Sequence, residues 1–226
     1  MRRLAVLIAA ALVLGGCQYP RDTEGTLDRV RGGTLRVGVA PAEPWSAVER
    51  RLVREFAETL DARVEWVEGT ESDLMEALAG RQLDVVIAGL TRRSVWMNEA
   101  ALTRPYVTVQ SVIGAPDEAT ARRLSDDLGG ERIAAEAYSP EAAKLETDTD
   151  AIVVPVDDLS EVRGPAAVED YLLDDLGLVR TDAELDEHEH AMAVSMGENA
   201  MLVALDRFLL DREAYARELL EKEGKP

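Results

Sequence analysis

Leu83-Asp84-Val85-Val86-Ile87-Ala88-Gly89-Leu90-Thr91 is the stretch on which the fold turns. From Asp84 to Ala88 its apolar run is continuous rather than alternating, as expected of a strand covered on both faces in a parallel sheet. Upstream, Thr34-Leu35-Arg36-Val37-Gly38-Val39 alternates and then meets Pro41 and Pro44, which predicts a strand followed by a loop. Ser46-Ala47-Val48-Glu49 has the spacing of a capping box. Behind it Val48, Leu52, Val53, Phe56 and Leu60 keep a helical stripe. Arg63–Val67 predicts a short strand, and Thr70 can cap a helix carrying Leu74, Met75 and Leu78 that stops at Gly80. Strand, helix, strand, helix, strand argues for an α/β layer on a parallel sheet.

Downstream, Tyr106–Ile113 predicts a strand, Ala115-Pro116-Asp117 breaks it, and an acidic helix follows to about Leu128. A second series then starts with a strand at Arg132–Ala135. Ser139-Pro140-Glu141 opens a helix, with Ser as cap and Pro in the first turn. Ile152–Val154, Ala166–Val168 and Met192–Val194 read as strands, and Asn199–Leu210 and Ala214–Leu220 as helices. Two such series predict two lobes joined by crossings near residues 107–113 and 191–195. Lobe 1 is expected over 33–109 and 196–226, and lobe 2 over 110–195.

The N-terminus sets an address. Met1-Arg2-Arg3 leads into the apolar run Leu4–Leu14 and then Leu14-Gly15-Gly16-Cys17. A positive start, a short apolar stretch and small residues before a cut describe a secretory signal. At 11 residues the run falls well short of the ~20 that span a bilayer. Ending on Cys17, it resembles a bacterial lipoprotein signal, which implies removal of residues 1–16 and lipid on the Cys17 sulfur. Residues 17–32, with Pro20 and Gly25 and no apolar period, are expected to form a flexible tether. Without residues 1–16, Lys+Arg falls from 25 to 23 against 44 acids, a formal charge of −21. That charge disfavours nucleic acid and anionic lipid and favours cationic partners. Cys17 is the one cysteine, so the fold must rest on its core without a disulfide.

Several of these segments together resemble family 3 of the extracellular solute-binding proteins, the receptors of polar amino-acid ABC importers. The segments are Gly33–Val39 with Pro44-Trp45, Leu74–Gly80, Leu83–Thr91, Thr103-Arg104-Pro105-Tyr106, Val168-Glu169-Asp170 and Met192–Ser195, in that order. The resemblance implies a type 2 periplasmic-binding-protein fold: two lobes, each a small mixed sheet flanked by helices, joined by two crossing strands around a ligand cleft. It also implies a monomer that works outside the cytoplasm and is read by an ABC permease. It places Trp45 where the family stacks a ring on its ligand, and Gly89 and Thr91 where backbone and hydroxyl meet the ligand's polar end. Ser139 falls at a helix start that helps hold a carboxylate. Asp170, or Glu169, falls where an acid pairs with an amino group.

One position departs from the family pattern. The arginine that usually grips an α-carboxylate falls five residues past the threonine, and Trp96 stands there. A shifted clamp through Arg92 or Arg93 is the alternative. Trp45 and Trp96, with Tyr106 and Tyr138 and with Glu43 or Asp170 nearby, would instead suit a cationic ligand through cation–π attraction. Trp96 equally suits packing within lobe 1, as does Tyr106. His188 and His190, two apart on a strand, share a face, but no third ligand accompanies them. The run Glu187–His190 is read as a charged run leading into a strand, with no metal or cofactor. No nucleophile motif, phosphate loop or zinc spacing is present.

The expected function is a lipid-anchored receptor for a small polar or cationic metabolite, not an enzyme. A degenerate binding fold serving as a sensor or interaction module is the alternative. A dehydratase resembling periplasmic cyclohexadienyl dehydratase, with Glu43, Glu169 or Asp170 as acid or base, ranks behind both.

Overall fold

The computed structural model describes residues 22–224. The expected signal segment, Cys17 and the first part of the expected tether lie outside the described residues. Among those described, no helix is long and apolar enough to cross a membrane.

The first lobe grows from β1 (Thr34–Val39), whose Leu35, Val37 and Val39 face α2 (Trp45–Thr59). Val48, Leu52, Val53 and Phe56 of α2 meet them at helical spacing and are fully buried. Parallel partners flank β1, with β2 (Arg63–Glu68) on one side and β3 (Val85–Ile87) on the other. The opposite face is covered by α3 (Glu71–Ala79) through Leu74, Met75 and Leu78. Gly38 allows that close approach, because a Cβ there would lie 2.7 Å from Leu83 Cδ1. Two antiparallel strands, β4 (Ala100–Leu102) and β10 (Ala193–Ser195), complete the sheet in the order β2-β1-β3-β10-β4.

The second lobe is a sheet of β5 (Val107–Ala115), β6 (Arg132–Glu136), β7 (Ile152–Val156), β8 (Ala166–Glu169) and β9 (Val179–His190), ordered β7-β6-β8-β5-β9. β6 runs parallel to β7 and β8, while β5 is antiparallel to β8 and β9. α4 (Glu118–Asp126) is capped by Asp117, which accepts from Thr120 N at 2.8 Å. α5 (Pro140–Asp148) is capped by Ser139, which accepts from Ala142 N at 3.1 Å. The chain then returns to lobe 1 as α6 (Asn199–Leu209) and α7 (Glu213–Glu223). Both bury residues against α2, and α7 also reaches β5, so one apolar cluster spans Phe56, Val107, Val109, Tyr171 and Leu220.

Four sequence expectations differ from the structure. The first concerns the tether: within its range α1 (Thr26–Val30) is a helix that buries Thr26, Leu27 and Val30. Asp22 and Glu198 hold it. Asp22 Oδ2 accepts from Leu27 N at 2.7 Å, while its Oδ1 accepts from Ala200 N and Met201 N at 2.7 and 2.9 Å. Ordered chain therefore starts ahead of Gly33.

The second is the lobe boundary. β10 pairs within the lobe 1 sheet, although residues to 195 read as lobe 2, and β5 already pairs in lobe 2 from Val107. The crossings are correspondingly short. They bond to each other through Thr103 N to Met192 O and Tyr106 N to His190 O, both 2.9 Å.

The third is β9, a strand of 12 residues whose extent the sequence pattern does not signal, because half of its side chains are charged. It is the edge of its sheet, where charged residues guard against further pairing. The fourth is the capping box, which does not form. α2 begins after Pro44 with no side-chain cap, Glu43 takes the Ala47 N–H at 3.3 Å, and Glu49 is buried instead.

Candidate functional site

Both lobes turn the C-terminal ends of their parallel strands toward one cleft, where open α/β sheets place their ligands. The loop after β1 supplies Glu43, Pro44 and Trp45 from lobe 1. Lobe 2 supplies Glu136 at the end of β6, Asp157 and Asp158 after β7, and Glu169 and Tyr171 at the end of β8. The cavity between them measures about 420 Å³. Two larger hollows, about 590 and 530 Å³, lie on lobe 1 alone and share only Glu43 with the cleft. The inter-lobe cavity is the better candidate because both lobes contribute its walls.

The lobe 1 wall is braced from behind. Trp45 lies flat on His190, with ring centroids 3.6 Å apart and planes at 12°, and its edge meets Tyr171 at 6.1 Å. Its Cβ sits where Gly89 leaves room, since a Cβ on Gly89 would lie 3.0 Å away. Gly89 adopts φ +61° there. The Gly89 N–H donates to Glu49 Oε2 at 3.0 Å, and the Gly89 carbonyl accepts from His190 Nδ1 at 3.2 Å.

Burial pushes the Glu49 carboxyl up to about 8, against the bond from Gly89 N–H. Burial pushes His190 down to about 4 and the Tyr106 hydroxyl well up. Tyr106 faces Glu49 electrostatically, yet Glu49 Oε1, Tyr106 Oη and His190 Nε2 complete no hydrogen bond of good geometry. Near neutral pH this hub holds a protonated Glu49 and a neutral His190. His190 is thus buried at the end of the charged run Glu187–His190.

The lobe 2 wall is also tuned by burial. It lifts Glu169 to about 7, partly offset by the Tyr171 hydroxyl, with Glu141 and Asp170 adding like charge. Glu141 is itself buried and accepts from Ser111 Oγ at 2.7 Å. Asp170 is held by Arg217 of α7, with Nη2 to Oδ2 at 3.2 Å, and by Arg180 at 3.5 Å.

The remaining expected site residues scatter. Thr91 pairs with His190 in an isolated antiparallel bridge, and Arg92 N donates to Glu189 O at 2.9 Å, so this segment lies alongside the end of β9. The Arg92 side chain turns to Thr103 O at 3.1 Å and Arg93 to Asp186 at 2.8 Å. Trp96 packs in lobe 1 and donates through Nε1 to Glu71. Tyr138 is fully exposed at φ +66°, and Ser139 serves its helix cap. Of the nine residues singled out from sequence, Glu43 and Trp45 line the cleft, with Gly89 directly behind Trp45.

The sequence reading missed Glu136, Asp157, Asp158 and Tyr171 as cleft residues, and Glu49 as their support. Glu49 had a local signal. It falls on the apolar stripe of α2, four residues from Trp45 and three from Leu52, where an acid is out of place.

Residues 40–218 match the model of the bacterial extracellular solute-binding proteins, family 3. No protein of curated function matches the sequence. Among solved structures, the unliganded, open L-cystine solute receptor of Neisseria gonorrhoeae is similar, with 19% identity and TM-score 0.70 over 88% of this chain and 96% of that one. An ancestral cationic amino-acid solute-binding protein is similar at 18% identity and TM-score 0.68, over 88% and 99%. A binding component of an ABC transporter from Wolinella succinogenes, complexed with lysine, is similar at 17% identity and TM-score 0.57, over 84% and 95%.

Proposed function

The chain belongs to the bacterial extracellular solute-binding proteins of family 3, and from that premise we propose that it captures a small cationic metabolite for an ABC importer. The observation that carries this reading is the cleft wall. Glu43, Glu136, Asp157, Asp158 and Glu169 surround the cavity, Trp45 and Tyr171 add aromatic surface, and no Lys, Arg or His lines it. Carboxylates and ring faces both favour a cation over an anion. Lipid on Cys17 would hold the receptor outside the cytoplasm near its permease, and the two lobes would present a closed shape to that permease. No catalytic step enters this reading.

Thermal unfolding with a panel of cationic metabolites tests it. A ligand at 100 times its dissociation constant adds about 2.7 kcal/mol to the folded state. A flat response across amino acids, amines and guanidines would overturn the reading.

One observation favours the second reading, a sensor or interaction module. Arg217 ties Asp170 to the Thr108 carbonyl, at 2.7 Å from the latter, and α7 bridges the lobes. Such a strap resists opening. Relaxation or scattering measurements that find a single closed form with and without cations would support this second reading.

A further inference from the structure

Resting on the reading of the cleft as a cation site, we propose that its solute is an organic amine or guanidine without a carboxylate, such as a diamine or polyamine, rather than an amino acid. An α-amino acid carries an ammonium and a carboxylate on one carbon. Its receptor must therefore place an anion-binding group beside a cation-binding one. The charged groups that line this cleft are all of the second kind.

The donors that the sequence singles out near the cleft are committed elsewhere, as are the two arginines beside Asp170. Gly89 N–H donates to Glu49 Oε2 at 3.0 Å. The Arg92 guanidinium holds the Thr103 carbonyl, Arg93 holds Asp186, and Trp96 Nε1 holds Glu71. Arg180 and Arg217 both face Asp170. An α-carboxylate entering here would meet five acids and lose its water without a cationic donor to replace it, a cost that discriminates strongly.

The acids are also spread rather than gathered at one point. Glu43 comes from lobe 1, whereas Glu136, Asp157, Asp158 and Glu169 follow three different strands of lobe 2. Among the described residues the Glu136 and Asp157 side chains have no hydrogen-bond or ion-pair partner. Separated anions on two walls match cationic centres separated along an aliphatic chain. Trp45 and Tyr171 provide surface for the methylenes between those centres.

Matched ligands isolate the carboxylate. Titration calorimetry of the purified chain would compare lysine with 1,5-diaminopentane and arginine with agmatine, and add spermidine. The amines should bind on the order of 100-fold more tightly than their amino acids. Equal or tighter binding of lysine or arginine overturns this proposal but leaves the cationic-solute reading intact. No binding of any of the five overturns both. A Glu136→Gln, Asp157→Asn double variant keeps the fold, because neither side chain supports it. It should lower amine affinity about tenfold, through loss of two nearby charges, at unchanged melting temperature. Unchanged affinity would show that the amine binds outside this cleft and overturn the assignment.

Discussion

Trp45 is stacked on His190 at 3.6 Å, so an aromatic ring of lobe 1 rests on the last residue of a lobe 2 strand. The contact couples the cleft wall to the crossing between lobes. Gly89 sits beneath it and can carry no side chain without moving the indole.

Gly89→Ala should therefore be costly in two ways. The residue would hold φ +61° with a Cβ, and that Cβ would press on Trp45 at 3.0 Å. A loss of about 2 kcal/mol in unfolding free energy is expected, read as a lower denaturant midpoint. Trp45 fluorescence should shift as the ring leaves His190. A stable Gly89→Ala variant with an unchanged spectrum would contradict this packing account.

Much of this layout was legible in the sequence where the signal is local. The apolar run Val85–Ile87 became the central parallel strand, and Ser139-Pro140 opened a helix as its chemistry requires. The extent of β9 was not legible, because an edge strand with Asp186, Glu187 and Glu189 reads as a charged run until β5 is placed beside it. Arg92 and Trp96 were legible as departures from a pattern. Their directions depend on Thr103 and Glu71, 11 and 25 residues away. The cleft acids are remoter still. Glu43 and Glu169 meet because strand ends converge, and no spacing along the chain records that.

Stability should depend on pH through Glu49 and His190 in opposite senses. Glu49 titrates at about 8 in the fold, above its ordinary value of 4.5, so the folded state holds a proton that the unfolded state has lost. Its contribution falls as pH rises from about 4.5 to 8. His190 titrates at about 4, below 6.5, so the unfolded state takes up the proton first and stability falls as pH drops from 6.5 to 4. Glu49→Gln keeps an acceptor for Gly89 N–H and removes the first effect. It should gain on the wild type by a few kcal/mol between pH 4.5 and 8, since one unit corresponds to about 1.4 kcal/mol. Parallel stability curves for the two proteins over that range would refute the buried-acid account.

Glu198 fastens the N-terminal segment. Its carboxylate, 1% exposed, accepts from Thr23 Oγ1 at 2.7 Å and Thr26 N at 3.2 Å, and pairs with Arg81 at 2.8 Å. Burial pushes this group up, yet the bonds from Thr23, Thr26 and Glu24 hold it below its ordinary value. Its stabilisation is present above that ordinary value and is lost as pH falls through the lowered one. Glu198→Ala leaves Arg81 and three donors without their acceptor and should cost about 3 kcal/mol. Limited proteolysis should then cut within residues 22–31, which the wild type protects. Equal protection in both proteins would mean that Leu27 and Val30 hold the segment without Glu198.

Arg217 sets how freely the lobes part. It donates to the Thr108 carbonyl at 2.7 Å and to Asp170 at 3.2 Å, from a helix that packs on α2 of the other lobe. Arg217→Ala frees that carbonyl and leaves Asp170 with Arg180. A loss of about 1–3 kcal/mol is expected, because the pair is largely shielded from water. The more telling measurement is hydrogen exchange at residues 103–110, which should accelerate while β1 and β3 stay protected. A double cycle with Asp170→Asn should show a coupling of about 1 kcal/mol. If exchange at the crossings is unchanged and the two substitutions add, α7 is a passive cover, and the lobes are held by the apolar cluster around Tyr171 and Leu220 instead.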